Sequence, residues 1–197
     1  MASEWAKTYL AKARLSFGFE PPLLNAAAGN AVANRYYEEV YGDLEHQNLD
    51  YQASIGIDIV ADVCSMPQIV DCSYGTAIAM DALEHIEYPS NAMKEFHRIL
   101  KPNGILVITT VCCYSIHRWS IFADEKPGNP PVAGSHYNDY WRFTPDGIKV
   151  LFRDAGLKLL DMRVKASNMD VGNLADLPIG EGADEANIIN LGAVSRK

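Results

Sequence analysis

Apolar residues along the chain recur with two different periods. Ala2, Trp5, Ala6, Tyr9, Leu10 and Ala13 return at helical spacing, and Pro21-Pro22 then stops the helix, which therefore occupies residues 1–20. Beyond it lie short, nearly continuous apolar runs at Leu23-Leu24, Ile57 to Val60, Thr76 to Met80, Ile105 to Val111, Leu157 to Val164 and Ile188 to Val194. Each is too short for a typical helix and reads as a strand buried on both faces. Between two of these runs Ser90 can cap a helix whose Ala92, Phe96, Ile99 and Leu100 make one apolar face, ending at Lys101-Pro102-Asn103-Gly104. Between the next two, Thr144 caps, Pro145 takes the first helical position, Ile148, Leu151, Phe152 and Ala155 face the core, and Gly156 terminates.

Strands alternating with helices predict an α/β fold: a doubly wound, mainly parallel sheet with helices on both faces. Ligands of such sheets sit at the carboxyl ends of the strands, where strand order reverses. Two segments break the alternation. Ser120 to Tyr140 carries three prolines, two glycines and several polar residues, and reads as a long loop of the kind that covers an active site. Ala166 to Ala186 reads as a surface connection before the last strand.

Composition narrows the field. A chain of 197 residues, 48% apolar and 21% charged, predicts a single domain over 1–197 with its own core, not a disordered chain. The formal charge of −8 gives its surface no general attraction for phosphate backbones or anionic lipid, so neither nucleic acid nor membrane is an expected partner. The four cysteines, Cys64, Cys72, Cys112 and Cys113, contain no CxxC pair, which points away from a metal site and toward small buried hydrophobes in a reducing compartment. Glu4 and Lys7 interrupt the apolar residues at the start, and no apolar run reaches the roughly 18 residues of a membrane span. A cytoplasmic, soluble protein is expected, with nothing to indicate its oligomeric state.

The candidate chemistry lies at the predicted carboxyl edge. The first strand runs into Asn25-Ala26-Ala27-Ala28-Gly29, whose small side chains allow a ligand to approach the backbone as the chain turns into a helix. Asp50 follows Gly29 by 21 residues, at the end of a second strand after His46. The dinucleotide fingerprint places a ribose-binding acid at about that distance, because a carboxylate there accepts two hydroxyl hydrogen bonds.

Further along come Ala61-Asp62-Val63-Cys64-Ser65-Met66-Pro67, then Ala79-Met80-Asp81-Ala82-Leu83-Glu84-His85-Ile86-Glu87-Tyr88-Pro89, then Phe96 to Thr110. In this order they resemble the class I S-adenosylmethionine-dependent methyltransferases, particularly small-molecule enzymes of the ubiquinone-biosynthesis type. Asp139 to Leu160 is similar to a subset in which an aromatic-rich segment precedes the final helix and strands. The resemblance implies a Rossmann-like sheet of seven strands with the last antiparallel, and S-adenosylmethionine as cofactor. It implies that Asn25, Ala26, Ala27 and Gly29 meet the cofactor's amino acid end. Asp50 with Tyr51 would meet its ribose, Asp62 and Val63 its adenine, and Met80, Asp81 and Ala82 its sulfonium end. The acceptor would be a small molecule.

Methyl transfer from a sulfonium is an in-line displacement, so alignment and exclusion of water come before any elaborate catalytic group. A hydroxyl acceptor gains from a general base, and histidine suits that role near neutral pH. His85, at the ligand-bearing edge, and His136 are the catalytic candidates; each also reads as a capping, packing or solvated residue. His117, Tyr140, Trp141 and Arg142 are the substrate candidates, the rings by stacking and Arg142 by pairing an anionic group. The competing reading of the aromatics is an anchor tying the loop to the body. A second function also stays open: family members usually carry an acid where Asn25 stands and glycine where Ala27 stands, so the chain can also be a non-catalytic relative that has lost its cofactor.

Overall fold

The computed structural model describes residues 4–29, 31–112, 138–166, 170–173 and 188–197. The helices are α1 (Glu4–Phe17), α2 (Ala31–Tyr41), α3 (Pro89–Ile99) and α4 (Pro145–Asp154). The strands are β1 (Leu23–Ala26), β2 (His46–Asp50), β3 (Ile59–Val60), β4 (Tyr74–Ala79), β5 (Leu100–Val111), β6 (Lys158–Ala166), β7 (Asp170–Asn173) and β8 (Ile188–Arg196). They form one sheet in the order β3-β2-β1-β4-β5-β8-β6-β7. Parallel pairing joins β3 to β2, β2 to β1, β1 to β4 and β4 to β5, whereas β8 lies antiparallel between β5 and β6. The expected seven strands with the last one antiparallel are present as β1 to β6 and β8, and β7 adds an eighth at the edge, antiparallel to β6. Order reverses between β1 and β4, which locates the ligand edge at the carboxyl ends of those strands.

Alternation of side chains along the buried strands divides the core in two. Leu24, Ala77, Ala79, Leu106 and Ile108 face α3 and α4, packing with Ala92, Met93, Phe96, Ile99, Ile148 and Phe152. Leu23, Ile78, Ile105 and Val107 face the other way, against Ala6, Tyr9, Leu10 and Ala13 of α1 and Tyr37 and Tyr41 of α2. The N-terminal helix is thus part of the core. Its Tyr9 ring crosses the backbone at Gly192, where a Cβ would come within 2.6 Å of the ring, and its hydroxyl donates to the buried Asp161 at 3.1 Å. Glycine is required there by close approach.

Thr144 caps α4 as expected: its hydroxyl accepts from the Gly147 N–H at 3.1 Å, Pro145 takes the first position, and Gly156 follows the helix with φ +79°. Several expectations change. Ser90 does not cap α3; Tyr88 holds the cap position without a side-chain bond and Pro89, already fixed in φ, starts the helix. Leu100 is not the end of a helical face but the first residue of β5, because the chain turns directly into the sheet and Asn103 takes a positive φ of 68° within that strand. The segment 166–186, read as a connection, contains β7, which pairs antiparallel with β6. Of the cysteines expected to be buried, Cys112 is, Cys64 is partly so, and Cys72 is exposed. Among the described residues no helix is long and apolar enough to cross a membrane.

Candidate active site

The carboxyl edge begins with the turn after β1. Asn25 is buried, and its amide donates to Asn48 Oδ1 on β2 at 2.9 Å, so it stitches the two strands from within the sheet. Ala26 is fully buried, and the chain then turns with positive φ at Ala27 (54°) and Gly29 (70°). The left-handed conformation carries a steric cost at Ala27 that glycine would not bear. The turn is fastened by Ala28 N–H to Leu49 O at 3.0 Å and by Gly29 N–H to Asp50 Oδ2 at 2.8 Å.

Asp50, buried at the end of β2, is the hub of this edge. Its other oxygen, Oδ1, accepts the Gln52 N–H at 3.0 Å. Each carboxylate oxygen has two lone-pair directions, so one bond at each leaves capacity on both for a further donor. Tyr51 is about half exposed and its hydroxyl accepts from Gln52 Nε2 at 3.0 Å. After β3, Asp62 stands exposed and its Oδ1 accepts the Cys64 N–H at 2.8 Å, while Val63 is buried against the core. Burial beside Asp62 pushes the Cys64 thiol up to about 11.

The turn after β4 carries two carboxylates that diverge. Asp81, with φ 49°, accepts from the Thr109 hydroxyl at 2.8 Å and from Tyr37 OH of α2 at 3.0 Å, between the buried Met80 and Ala82. Glu84, only 1% exposed, accepts from the Thr110 hydroxyl at 2.8 Å. Thr109 and Thr110 are consecutive on β5 and point to opposite faces of the sheet. They send one acid toward α2 and the other toward the segment that precedes α4.

That segment, 138–143, is strapped across the turn. The Glu84 carbonyl accepts from Tyr140 N–H at 2.8 Å and Trp141 N–H at 3.3 Å, the Trp141 indole donates to Ile86 O at 3.0 Å, and Phe143 N–H reaches Val111 O at 3.0 Å. His85 Nδ1 lies 2.7 Å from Asn138 O; a carbonyl only accepts, so Nδ1 carries the proton in the neutral ring. Burial lowers the His85 pKa and favours that neutral ring. Arg142 forks onto Asp139, NH1 to Oδ1 at 2.5 Å and NH2 to Oδ2 at 2.6 Å, and this pairing raises its pKa further. The guanidinium face expected to meet an anionic acceptor is already turned on a carboxylate of its own strap. Tyr140 and Trp141 remain more than 40% exposed.

The structure thus gathers Asn25, Ala26, Ala27, Gly29, Asp50 and Tyr51 at one part of the edge, and Met80, Asp81, Ala82, His85, Tyr140, Trp141 and Arg142 at another, with Asp62 and Val63 on the β3 side. His117, His136 and most of the 120–140 loop lie outside the described residues. Sequence reasoning passed over Asn48, Gln52, Thr109 and Thr110. The two threonines had a signal, a pair of hydroxyls at the end of an otherwise apolar run.

The chain matches known proteins on the same ground. The sequence profile of a methyltransferase domain matches residues 14–161, which includes α1 in part and every strand from β1 to β5. The chain belongs to this methyltransferase family. No curated protein matches it significantly in sequence. Among solved structures it is similar to an S-adenosylmethionine-dependent methyltransferase from Mesorhizobium loti, with 15% identity, TM-score 0.63 and 98% of each chain covered. It is similar also to the 1,6-didemethyltoxoflavin-N1-methyltransferase of Burkholderia thailandensis, whose structure holds 1,6-didemethyltoxoflavin and S-adenosylhomocysteine, with 16% identity, TM-score 0.62 and coverage of 99% of this chain and 79% of that one. The [4+2]-cyclase SpnF gives 19% identity, TM-score 0.62 and coverage of 97% and 80%. At such identities the likeness establishes the Rossmann-like fold; a cyclase among the neighbours shows that the fold alone does not choose the reaction. The ubiquinone-type kinship expected from the sequence finds no specific counterpart among these neighbours.

Proposed function

We propose that this methyltransferase-family chain uses S-adenosylmethionine to methylate an oxygen or nitrogen of a small molecule. The observation that carries the reading is Asp50: a buried carboxylate at the end of β2, fixed by the Gly29 and Gln52 N–H groups, with an acceptor direction left on each oxygen. Those two acceptor directions fit the two hydroxyls of a ribose, which would donate to them. The left-handed Ala27 does not abolish the turn, since the chain adopts it and Gly29 still reaches Asp50.

In this reading Asp50 and Tyr51 hold the ribose, the Ala27 to Gly29 backbone meets the amino acid end, and Asp62 and Val63 border the adenine. Met80, Asp81 and Ala82 line the reactive end. When bound, S-adenosylmethionine supplies an electrophilic methyl on a cationic sulfur. The residues around it orient the acceptor and exclude water. In the same reading His85, favoured as the neutral ring by burial and with Nδ1 committed to Asn138, takes the acceptor's proton on Nε2. The acidic surface supports a small-molecule acceptor in preference to nucleic acid, and the composition supports a cytoplasmic, single-domain protein.

Calorimetry with S-adenosylmethionine and S-adenosylhomocysteine, followed by transfer of labelled methyl to a panel of hydroxyl and amine acceptors, tests the proposal. Saturable binding and transfer to at least one acceptor class are expected. A folded sample that binds neither form would instead support the non-catalytic relative.

A further inference from the structure

On the α1 side of the sheet a small cleft lies between the flank of α1 and β6. Tyr9, Lys12 and Ser16 line it from the helix, Asp161 and Arg163 from the strand. Arg163 pairs across the sheet with Gly192, and Gly192 with Thr109, so Arg163 stands two strands from the threonine that holds Asp81, roughly 10 Å at ordinary strand spacing. The Tyr9 ring on Gly192 fills the row between them. The cleft is therefore walled off from the candidate active site.

Its floor is fixed by one acid. Asp161 is buried, and its Oδ2 accepts from the Tyr9 hydroxyl at 3.1 Å and from Arg163 Nε at 3.4 Å. Burial, with Asp161 beside it, holds the Tyr9 phenol well above its ordinary range, so it stays a neutral donor. Arg163 is thus oriented through Nε alone; among the described residues nothing accepts from its terminal NH1 and NH2 groups. Facing it, Lys12 and Ser16 are exposed one turn apart on α1, and the Lys12 ammonium has no partner among the described residues. The lining carries two cations against one acid, in a chain whose formal charge is −8.

Size and geometry select the ligand. The cleft holds about 40 Å³, where one water needs roughly 10–15 Å³, so it takes a group the size of a single oxyanion. A carboxylate set on the guanidinium fork turns both of its oxygens to Arg163, whereas a phosphate keeps further oxygens for donors on the opposite wall. We propose that Arg163, Lys12 and Ser16 bind a phosphate group, free or at the end of a phosphomonoester, which bridges α1 to β6. The site stands independently of the methyltransferase reading, since none of its residues belongs to the cofactor edge.

Calorimetric titration of the full chain at constant ionic strength with inorganic phosphate, phenyl phosphate and acetate tests the proposal. Phosphate should bind saturably and at least about tenfold more tightly than acetate. Arg163→Gln should weaken phosphate by about tenfold or more, the scale of losing hydrogen bonds to a charged group, and Lys12→Gln by about threefold, as suits an exposed cation. Phosphate should also raise the melting temperature of the unaltered chain more than that of either variant. If Arg163→Gln fails to fold, Lys12→Gln, at an exposed helix position, carries the test. Tighter binding of inorganic phosphate than of phenyl phosphate assigns the site to the free ion, and the reverse order to a monoester. Absence of saturable phosphate binding, acetate binding as tight as phosphate, or undiminished phosphate affinity in the variants overturns the proposal.

Discussion

The two parts of the carboxyl edge are built in different ways. At the turn after β1 the partners come from short stretches of two adjacent parallel strands, and most donors are backbone N–H groups closing on one carboxylate, Asp50. At the turn after β4 the partners lie far apart in sequence: Glu84 with Tyr140, Ile86 with Trp141, Val111 with Phe143. The first part is closed mainly by backbone groups and depends on side-chain identity chiefly at Asp50. The second depends on particular side chains, with a buried acid, an Arg–Asp fork and fixed aromatics. Cofactor affinity should therefore be separable from the integrity of the strap.

The largest expected effect breaks the strap and spares the turn. Asp139→Ala removes a fully buried carboxylate and takes from Arg142 its forked acceptor; loss of one member of a buried pair costs about 3 to 5 kcal/mol, and the lower end applies because the Arg142 side chain is 25% exposed. Denaturant unfolding should show that loss, and S-adenosylhomocysteine affinity should stay within about twofold at temperatures where the variant is folded. The converse variant, Asp50→Ala, should weaken cofactor binding by about 2 to 3 kcal/mol, the scale of hydrogen bonds to a charged group, with little change at Trp141 by fluorescence. A smaller effect sharpens the role of the cap that starts the helix after the strap: Thr144→Ala should cost about 1 kcal/mol of stability and nothing in cofactor affinity.

His85 links the strap to pH. Its folded pKa lies below the ordinary 6.5, because burial disfavours the charged ring. As pH falls through 6.5 the unfolded chain takes up the proton first, so this group lowers stability progressively down to the folded pKa, below which the penalty is constant. Histidine NMR should give a pKa under 6.5 that returns toward it in urea. A value at or above 6.5 in the folded chain would contradict the neutral ring on which its role as base depends.

How much of this was legible in the sequence follows from the same contrast. The strands, the Thr144 cap with Pro145, and the Gly29 to Asp50 spacing are local or periodic signals, and they led to a mainly parallel sheet between helices; the antiparallel last strand came from the family resemblance. Ser90 misled because an equally good start signal, Pro89, stood one residue earlier, and β7 was masked by the glycines and acids around it. The strap was legible only as a cluster of aromatic residues. Nothing in the order Asp139-Tyr140-Trp141-Arg142 states that Arg142 is paired within its own segment, nor that Glu84 is buried beneath it, since both follow from tertiary approach. Arg142 was counted as available to an anionic group, whereas the fold turns it onto Asp139.

An amide-resolved NMR titration of the full chain with S-adenosylhomocysteine tests the central claim most directly. The account predicts saturable shifts at the Gly29 and Gln52 N–H groups, both bonded to Asp50, while the Trp141 indole N–H holds its position. Shifts at Trp141 with Gly29 and Gln52 unmoved would contradict it.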